Sequence, residues 1–296
     1  MGLLAVLTCS AIFAGCGAGG GSTSIRRPPP PRPLAVYADG TRIEVVHPGR
    51  GRRIAVPRLV ELRRGRARLF LNVHRRVALR TVRRALASRA THVDLPVVPL
   101  RTTVALRPVR QVLHNDCEAT ALSMLLAAAG AHAGQLELQE RLPRSGSLDP
   151  EPVTGSTLFR WGDPERGFVG RPAGGGTEGG FGVYEPPIRA LAVRYGVHLV
   201  DLHDRRFATV RAALLAGHPI LAWVGLAPGP YLSWLTPAGR KITVNLNEHA
   251  VTLVGAGPGY VLVNNPLTGR RERWSDALFS SRWRLLGRRA LELPRY

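Results

Sequence analysis

One cysteine in the body of this chain stands where thiol chemistry would be favoured. The chain has 296 residues and three cysteines, and Cys9 and Cys16 fall in an N-terminal apolar segment, which leaves Cys117 alone in the rest. A single thiol forms neither an intramolecular disulfide nor a cysteine-rich zinc site. Cys117 follows Asp116, which is predicted to cap a helix, and unpaired backbone N–H groups at a helix start stabilise a thiolate. The sequence therefore predicts a nucleophile, with an inert buried cysteine as the alternative.

A cysteine nucleophile needs an imidazole to accept its proton, and His249 is the best placed of the nine histidines. It precedes an apolar run over residues 250–254, which predicts a strand that would aim the ring. The next predicted strand, residues 260–263, returns through a turn at residues 257–259 and brings Asn265 beside His249. An asparagine oxygen can hold the tautomer of an imidazole. These residues predict a Cys-His-Asn triad.

The elements around these residues predict an α+β fold. A helix begins at Cys117, a Gly/Pro-rich stretch covers residues 143–187, and short helices and strands follow. The later predicted helices cover residues 188–195 and 206–216, and the predicted strands cover residues 197–202, 220–224, 250–254 and 260–263. This pattern predicts a helix packed on an antiparallel sheet.

The N-terminal segment predicts export. Residues 3–13 form an apolar run that is too short to span a bilayer and ends in two small residues before Cys16. Residues 1–16 therefore predict a signal peptide with a lipobox-like Cys16 as the lipidation site. A signal that is cleaved without lipidation is the alternative.

Composition divides the rest of the chain into three segments. Residues 17–33 are rich in Gly, Ser and Pro and predict a tether between the export signal and a folded part. Residues 34–104 contain short strand patterns and one helical pattern over residues 76–90, which predicts a small auxiliary α+β module. Residues 106–296 carry the triad and predict the catalytic domain.

The residues of the predicted triad resemble one family of peptidases. Gln111 precedes Asp116 and Cys117, His249 opens an apolar strand, and Asn265 stands before a proline at the end of the next strand. This arrangement resembles the papain-like bacterial cysteine peptidases of family thirty-nine, the double-glycine-leader type, and especially their stand-alone exported branch. The resemblance covers residues 109–296.

The resemblance implies a papain-like fold and a role for each matching residue. Cys117 would be the nucleophile, His249 the general base, Asn265 the orienting residue and Gln111 the oxyanion donor. The family usually has Asp in the place of Asn265, so Asn265→Asp is expected to retain much of the activity. Glu118 stands where Gly is common, and its charge is expected to raise the pKa of the thiol.

The stretch over residues 143–187 is too long to be a simple connection, and such loops often form substrate walls. Trp161, Asp163 and Tyr184 lie on it and are candidate substrate contacts. The alternative is that these side chains anchor the loop to the core.

The charge of the chain is strongly basic. Lysine and arginine outnumber aspartate and glutamate by 41 to 20, for a formal net charge of +21. A coding bias toward Arg, Ala, Gly and Pro would explain this without a partner, whereas a functional explanation is contact with anionic lipid or an anionic wall polymer. No recognisable DNA- or RNA-binding motif occurs, so no specific nucleic acid is expected.

No cofactor or metal is expected. His198, His203 and His218 lie on or beside apolar strands without cysteines or acids at ligand spacing. The predicted function is therefore an exported, membrane-tethered cysteine peptidase that hydrolyses a peptide bond through a thioester. The alternatives are a non-catalytic module that binds peptide or wall polymer, and a transferase that resolves the same thioester with an amine.

Overall fold

The structure is a computed structural model that describes residues 32–46, 54, 56–174 and 179–294. The predicted export signal with Cys16, and the predicted tether up to residue 31, lie outside the described residues. In the part of the chain that is described, no helix has the length and apolar character needed to cross a membrane.

The described residues form six helices and sixteen strands. The helices are α1 (Arg75–Ala87), α2 (Cys117–Ala128), α3 (Gln135–Arg141), α4 (Glu185–Val193), α5 (Phe207–Ala216) and α6 (Asp276–Arg284). The first eight strands are β1 (Leu34–Ala38), β2 (Thr41–Val46), β3 (Leu59–Arg64), β4 (Ala67–Val73), β5 (His92–Leu95), β6 (Val97–Val104), β7 (Glu151–Pro152) and β8 (Phe159–Arg160). The others are β9 (Val200–Asp201), β10 (Ile220–Gly225), β11 (Tyr231–Leu235), β12 (Lys241–Asn245), β13 (Glu248–Gly257), β14 (Tyr260–Asn265), β15 (Arg270–Ser275) and β16 (Ala290–Glu292).

The fold is α+β, as the sequence predicts, and it is built on one large sheet. Its main path runs β3-β4-β6-β13-β10-β16-β9, with β14 paired to β13 and β15 paired to β14. The predicted hairpin is present, because β13 ends at Gly257 and its partner β14 begins at Tyr260. The strand predicted over residues 197–202 is shorter, since only Val200 and Asp201 pair with β16.

The segment over residues 34–104 contributes to this same sheet. β1, β2 and β5 form a separate three-stranded sheet, whereas β3, β4 and β6 join the large sheet through the pairing of β6 with β13. The core of this segment also includes Leu106 and Val254. The sequence does not predict β3. Only two of its apolar side chains, Val60 and Leu62, point into the core, so the alternation of buried and exposed residues is too short to stand out.

Helix α2 lies against the large sheet and carries Cys117 at its first position. The hydroxyl of Thr252 on β13 donates to the backbone oxygen of Ala121 at 3.2 Å. Leu122, Leu125 and Leu126 are fully buried. The inserted stretch after α3 supplies Phe168, Val169, Phe181 and Val183 to the same core. Packing on several sides therefore holds the start of α2 in place.

Candidate active site

The turn before α2 is hydrogen-bonded to the residue that follows β14. The backbone N–H of Gln111 donates to the backbone oxygen of Pro266 at 2.9 Å. Asp116 occupies the N-cap position, but its side chain does not cap the helix. Its Oδ1 instead accepts the backbone N–H of Leu113 at 3.1 Å, so Asp116 stabilises the preceding turn. The predicted helix cap is wrong in this respect, because the turn competes for the carboxylate.

Cys117 is buried, with 5% of its surface exposed. Its Sγ lies 3.2 Å from Oε2 of Glu118, and the backbone N–H of Ala250 is also bonded to it. Burial, followed by the charges of Glu118 and Glu248, raises the pKa of the Cys117 thiol well above its ordinary value. The buried site therefore favours the neutral thiol, against the thiolate that the helix start alone predicts.

Glu118 joins the start of α2 to the inserted stretch. Its Oε1 accepts the backbone N–H of Val183 at 2.6 Å, and the indole N–H of Trp223 donates to the backbone oxygen of Val183 at 2.9 Å. Burial raises the pKa of Glu118 to about 7, although the hydrogen bond from Val183 opposes this shift. Glu118 is thus neutral below neutral pH and charged above it.

Glu248 brings a second carboxyl group to the thiol. Among the described residues its buried Oε1 has no hydrogen-bond partner. Burial and the charge of Glu118 raise its pKa well above the ordinary value. Donor atoms of Cys117, Glu118 and Glu248 lie within 4.8 Å of one another. Each of the three groups would have to lose its proton to bind a metal ion.

His249 and Asn265 are in direct contact, as the hairpin predicts. Nε2 of His249 lies 2.8 Å from Oδ1 of Asn265. The amide nitrogen of Asn265 donates to Oε1 of Glu272 at 3.0 Å, which identifies Oδ1 as the acceptor toward His249. The proton is therefore on Nε2, and Nδ1 carries the lone pair that can accept a proton. Burial lowers the pKa of His249 to about 4.

Glu272 is a site residue that the sequence analysis misses. It lies on β15, and its Oε1 also accepts the hydroxyl of Thr268 at 2.6 Å while Oε2 accepts the indole N–H of Trp274 at 2.7 Å. Burial raises its pKa, but these hydrogen bonds lower it more, and the net pKa lies below the ordinary value. Its charge supports the imidazolium of His249 from behind Asn265. No local pattern predicts it, because only the pairing of β14 with β15 brings it there.

The thiol of Cys117 contacts the strand residue next to His249. The backbone N–H of Ala250 is hydrogen-bonded to Sγ, and Ala250 directly follows His249 in the chain. In the described part of the chain, the thiol is hydrogen-bonded to Glu118 and not to His249. That Sγ comes within reach of a ring nitrogen of His249, at hydrogen-bond distance or somewhat beyond it, stays a prediction.

Gln111 is held by the turn it belongs to. Its side-chain nitrogen donates to the backbone oxygens of Leu113 at 3.1 Å and His114 at 2.8 Å. Both amide hydrogens are therefore occupied, and the predicted role as oxyanion donor requires one of these hydrogen bonds to be released. The Oε1 atom of Gln111 is buried without a hydrogen-bond partner among the described residues.

The candidate substrate contacts on the inserted stretch have different positions. Trp161 is buried at 5.3 Å from the ring of Trp234, so the structure gives it the anchoring role that was the alternative. Asp163 forms an ion pair with Arg240 at 3.1 Å, and Tyr184 stacks under the guanidinium of Arg289 at 3.8 Å. Both Asp163 and Tyr184 line a cavity of 330 Å³.

Two of the histidines for which no metal binding is expected each lie beside a carboxylate from a distant part of the sequence. Nδ1 of His218 is 2.5 Å from Oε1 of Glu292, and Nδ1 of His203 is 3.7 Å from Oε1 of Glu185. Each is a contact with a single carboxylate brought in from a distant part of the chain.

Known proteins share this part of the fold. The model of the family described as "Peptidase_C39 like family" matches residues 103–291. The uncharacterised protein YvpB of Bacillus subtilis (strain 168) is 31% identical over 189 residues, which are 62% of this chain and 70% of that protein. The crystal structure of a protein assigned as a C39-like peptidase from Bacillus anthracis superposes with a TM-score of 0.56 at 24% identity, covering 65% of this chain and 96% of that one. The family match spans Cys117, His249 and Asn265 and almost two thirds of the chain, and the chain therefore belongs to the Peptidase_C39-like family.

Proposed function

We propose that this protein is a thiol peptidase that hydrolyses a peptide bond through a thioester on Cys117. The observation that carries the proposal is the contact of His249 with Asn265, which occupies Nε2 and leaves Nδ1 of the imidazole available as a base. The next residue, Ala250, is hydrogen-bonded to the Cys117 sulfur through its backbone N–H. Membership of a peptidase-like family supports the same function. A module that only binds peptides has no need of an oriented imidazole beside a thiol.

The proposed reaction has two steps on the same residues. The thiol proton moves to Nδ1 of His249 as Sγ attacks the peptide carbonyl, and the imidazolium then protonates the leaving amine. Water, deprotonated by His249, attacks the thioester and releases the acid and the thiol. The backbone N–H at the start of α2, and the Gln111 amide once it is released, would stabilise the oxyanion.

The test is incubation of the purified protein with a peptide library, followed by mass spectrometry of the new ends, with and without hydroxylamine. We expect cleaved peptides with free carboxyl ends, and hydroxamates at the same positions when hydroxylamine intercepts the thioester. Cys117→Ser is the control that should produce neither. Amine-joined products without free acids would favour the transferase, and retention of peptides without cleavage would favour the binding module.

We further propose that the protein is exported and attached to the outer face of the membrane through Cys16. Support comes from the apolar run over residues 3–13 and from the surface of α1. That helix buries Ala78, Val82 and Ala85 and has no acid in its first turn. Its exposed arginines, for which the described residues provide no acidic partner, are Arg75, Arg76, Arg80, Arg83 and Arg84. An anionic lipid surface is a partner of matching charge, and an anionic wall polymer is the alternative.

The location is tested by metabolic labelling with palmitate. We expect the label in the wild-type protein and none in Cys16→Ser, because Cys16 is the proposed acyl acceptor. Full-length protein in the cytosol with Met1 still present would contradict the proposal. Unlabelled secreted protein would indicate a signal that is cleaved without lipidation.

A further inference from the structure

The start of α2 places a carboxyl group directly beside the thiol. Glu118 directly follows the nucleophile, and its Oε2 accepts the thiol of Cys117 at 3.2 Å. Its other oxygen is held by the backbone N–H of Val183, so the carboxyl group cannot turn away without breaking that hydrogen bond. The absence of a Cβ at Gly182 lets the chain pass directly over Glu118. The carboxyl group is thus locked against the sulfur.

The titratable groups placed next to this carboxyl group are acidic. Asp116 and the thiol of Cys117 belong to the start of α2, and Glu248 approaches from β13. Tyr184, which follows Val183 in the chain, is a further acidic group within the electrostatic range of Glu248. Among the described residues neither Glu118 nor Glu248 takes part in an ion pair with a basic side chain. Two neighbouring buried carboxyl groups without a cation cannot both carry charge at low cost.

We propose that Glu118 is a second proton acceptor for Cys117, in addition to His249, and that Glu248 remains protonated beside it. The transfer breaks the S–H bond, leaves its electron pair on sulfur and forms an O–H bond on Oε2 of Glu118. A neutral thiol beside a carboxylate becomes a thiolate beside a neutral carboxylic acid, and the net charge does not change. The reactive thiolate therefore depends on the proton of Glu118. The proposal rests on the proposed function only in taking Cys117 as the nucleophile.

This exchange has a consequence for the dependence of thiol reactivity on pH. Below about pH 7 Glu118 is protonated, and the thiolate fraction rises tenfold per pH unit as for any thiol. Above about pH 7 the pair of Cys117 and Glu118 holds one proton. The form with a thiol and a carboxylate and the form with a thiolate and a carboxylic acid then keep a constant ratio, because they hold the same number of protons. The thiolate fraction then levels off. A thiol without this neighbour would continue to rise up to its own pKa.

The test is the rate of iodoacetamide alkylation at Cys117, followed by peptide mass spectrometry from about pH 5 to about pH 9. We expect the wild-type rate to stop rising near pH 7 and the Glu118→Gln rate to continue, so that their ratio grows about tenfold per pH unit above that point. The amide oxygen introduced by Glu118→Gln still offers an acceptor for the Val183 N–H. Glu118→Gly, which removes the carboxyl group without replacing it, should lose the plateau in the same way.

Two controls separate this effect from a general change in charge. Glu140→Gln removes an exposed carboxylate on the surface and should reproduce the wild-type plateau. Glu248→Gln should keep the break near pH 7, because Glu248 is protonated in the proposed exchange and an amide reproduces that neutral state. A wild-type rate that rises past pH 7 in parallel with that of Glu118→Gln would overturn the proposal.

The peptidase proposal fails separately from this one, because alkylation needs no peptide substrate. A plateau without any peptide hydrolysis would support the role of Glu118 and contradict the peptidase. Hydrolysis that depends on Cys117 without a plateau would do the reverse. When both hold, kcat/KM should rise with pH and level off near about pH 7, where Glu118 has lost its proton and the thiolate fraction stops increasing.

Discussion

Cys117→Ala is expected to lower kcat/KM for peptide hydrolysis by at least about 10³-fold, because the proposed acyl intermediate forms on the Cys117 sulfur. His249→Ala should lower it by about 10²- to 10⁴-fold, the usual contribution of a general base. The two losses should not add in the double variant, since the residues act as one unit. Initial rates on a peptide cleaved by the wild-type protein provide the measurement.

Ser123→Ala is the matched control for these variants. Ser123 lies on the same helix as Cys117, and its hydroxyl only donates to the backbone oxygen of Thr120 at 2.7 Å. It should retain wild-type turnover. Wild-type turnover in Cys117→Ala would show that Cys117 is not the nucleophile, and thermal unfolding of each variant identifies losses that come from misfolding.

The neighbouring asparagines at the end of β14 should respond differently to truncation. Asn265→Ala is expected to lower kcat by about tenfold or more, because the imidazole loses the acceptor that holds Nε2–H. Asn264→Ala should instead lower the free energy of unfolding by about 1–3 kcal/mol. Asn264 is fully buried, and its amide nitrogen donates to the backbone oxygen of Leu106 at 3.2 Å while its oxygen accepts Nε of Arg271 at 3.0 Å. The readouts are kcat and urea unfolding.

Glu272 changes the expectation for Asn265→Asp. The sequence alone indicates that the family's usual aspartate would be tolerated here. In the structure the Asn265 amide nitrogen donates to Glu272 at 3.0 Å, so an aspartate would place one carboxylate against another and remove the donor. We expect Asn265→Asp to lose activity and Asn265→Asp combined with Glu272→Gln to recover part of it. A double variant no better than the single one would contradict this coupling.

Glu272→Gln alone reports on the imidazole. Because the charge of Glu272 raises the pKa of His249, its removal should lower that pKa further below about 4. The acid limb of the kcat/KM profile should then move to lower pH, since His249 stays a neutral base over a wider range.

If Asn265→Ala is silent while Asn264→Ala abolishes turnover, the orienting residue is Asn264 instead.

The sequence by itself determined the features that depend on local pattern. The helix start at Cys117 follows from the apolar spacing after it, and the return of β14 beside β13 follows from two apolar runs around a glycine turn. The same turn predicts the contact of His249 with Asn265. The family resemblance rests on these motifs as well, and the family match confirms it. The catalytic roles of these residues stay predictions.

The tertiary structure alone decided the charge state of the site. Glu118 faces the sulfur because Val183, far along the chain, holds its other oxygen, and Glu248 and Glu272 arrive on separate strands. The pairing of β6 with β13 likewise joins the segment over residues 34–104 to the large sheet that carries His249 and Asn265. A pKa depends on burial and on all charges within a few ångströms, whatever their separation in sequence. The helix start alone predicts a thiolate, whereas burial and the carboxyl groups that only the folded chain brings together favour the neutral thiol.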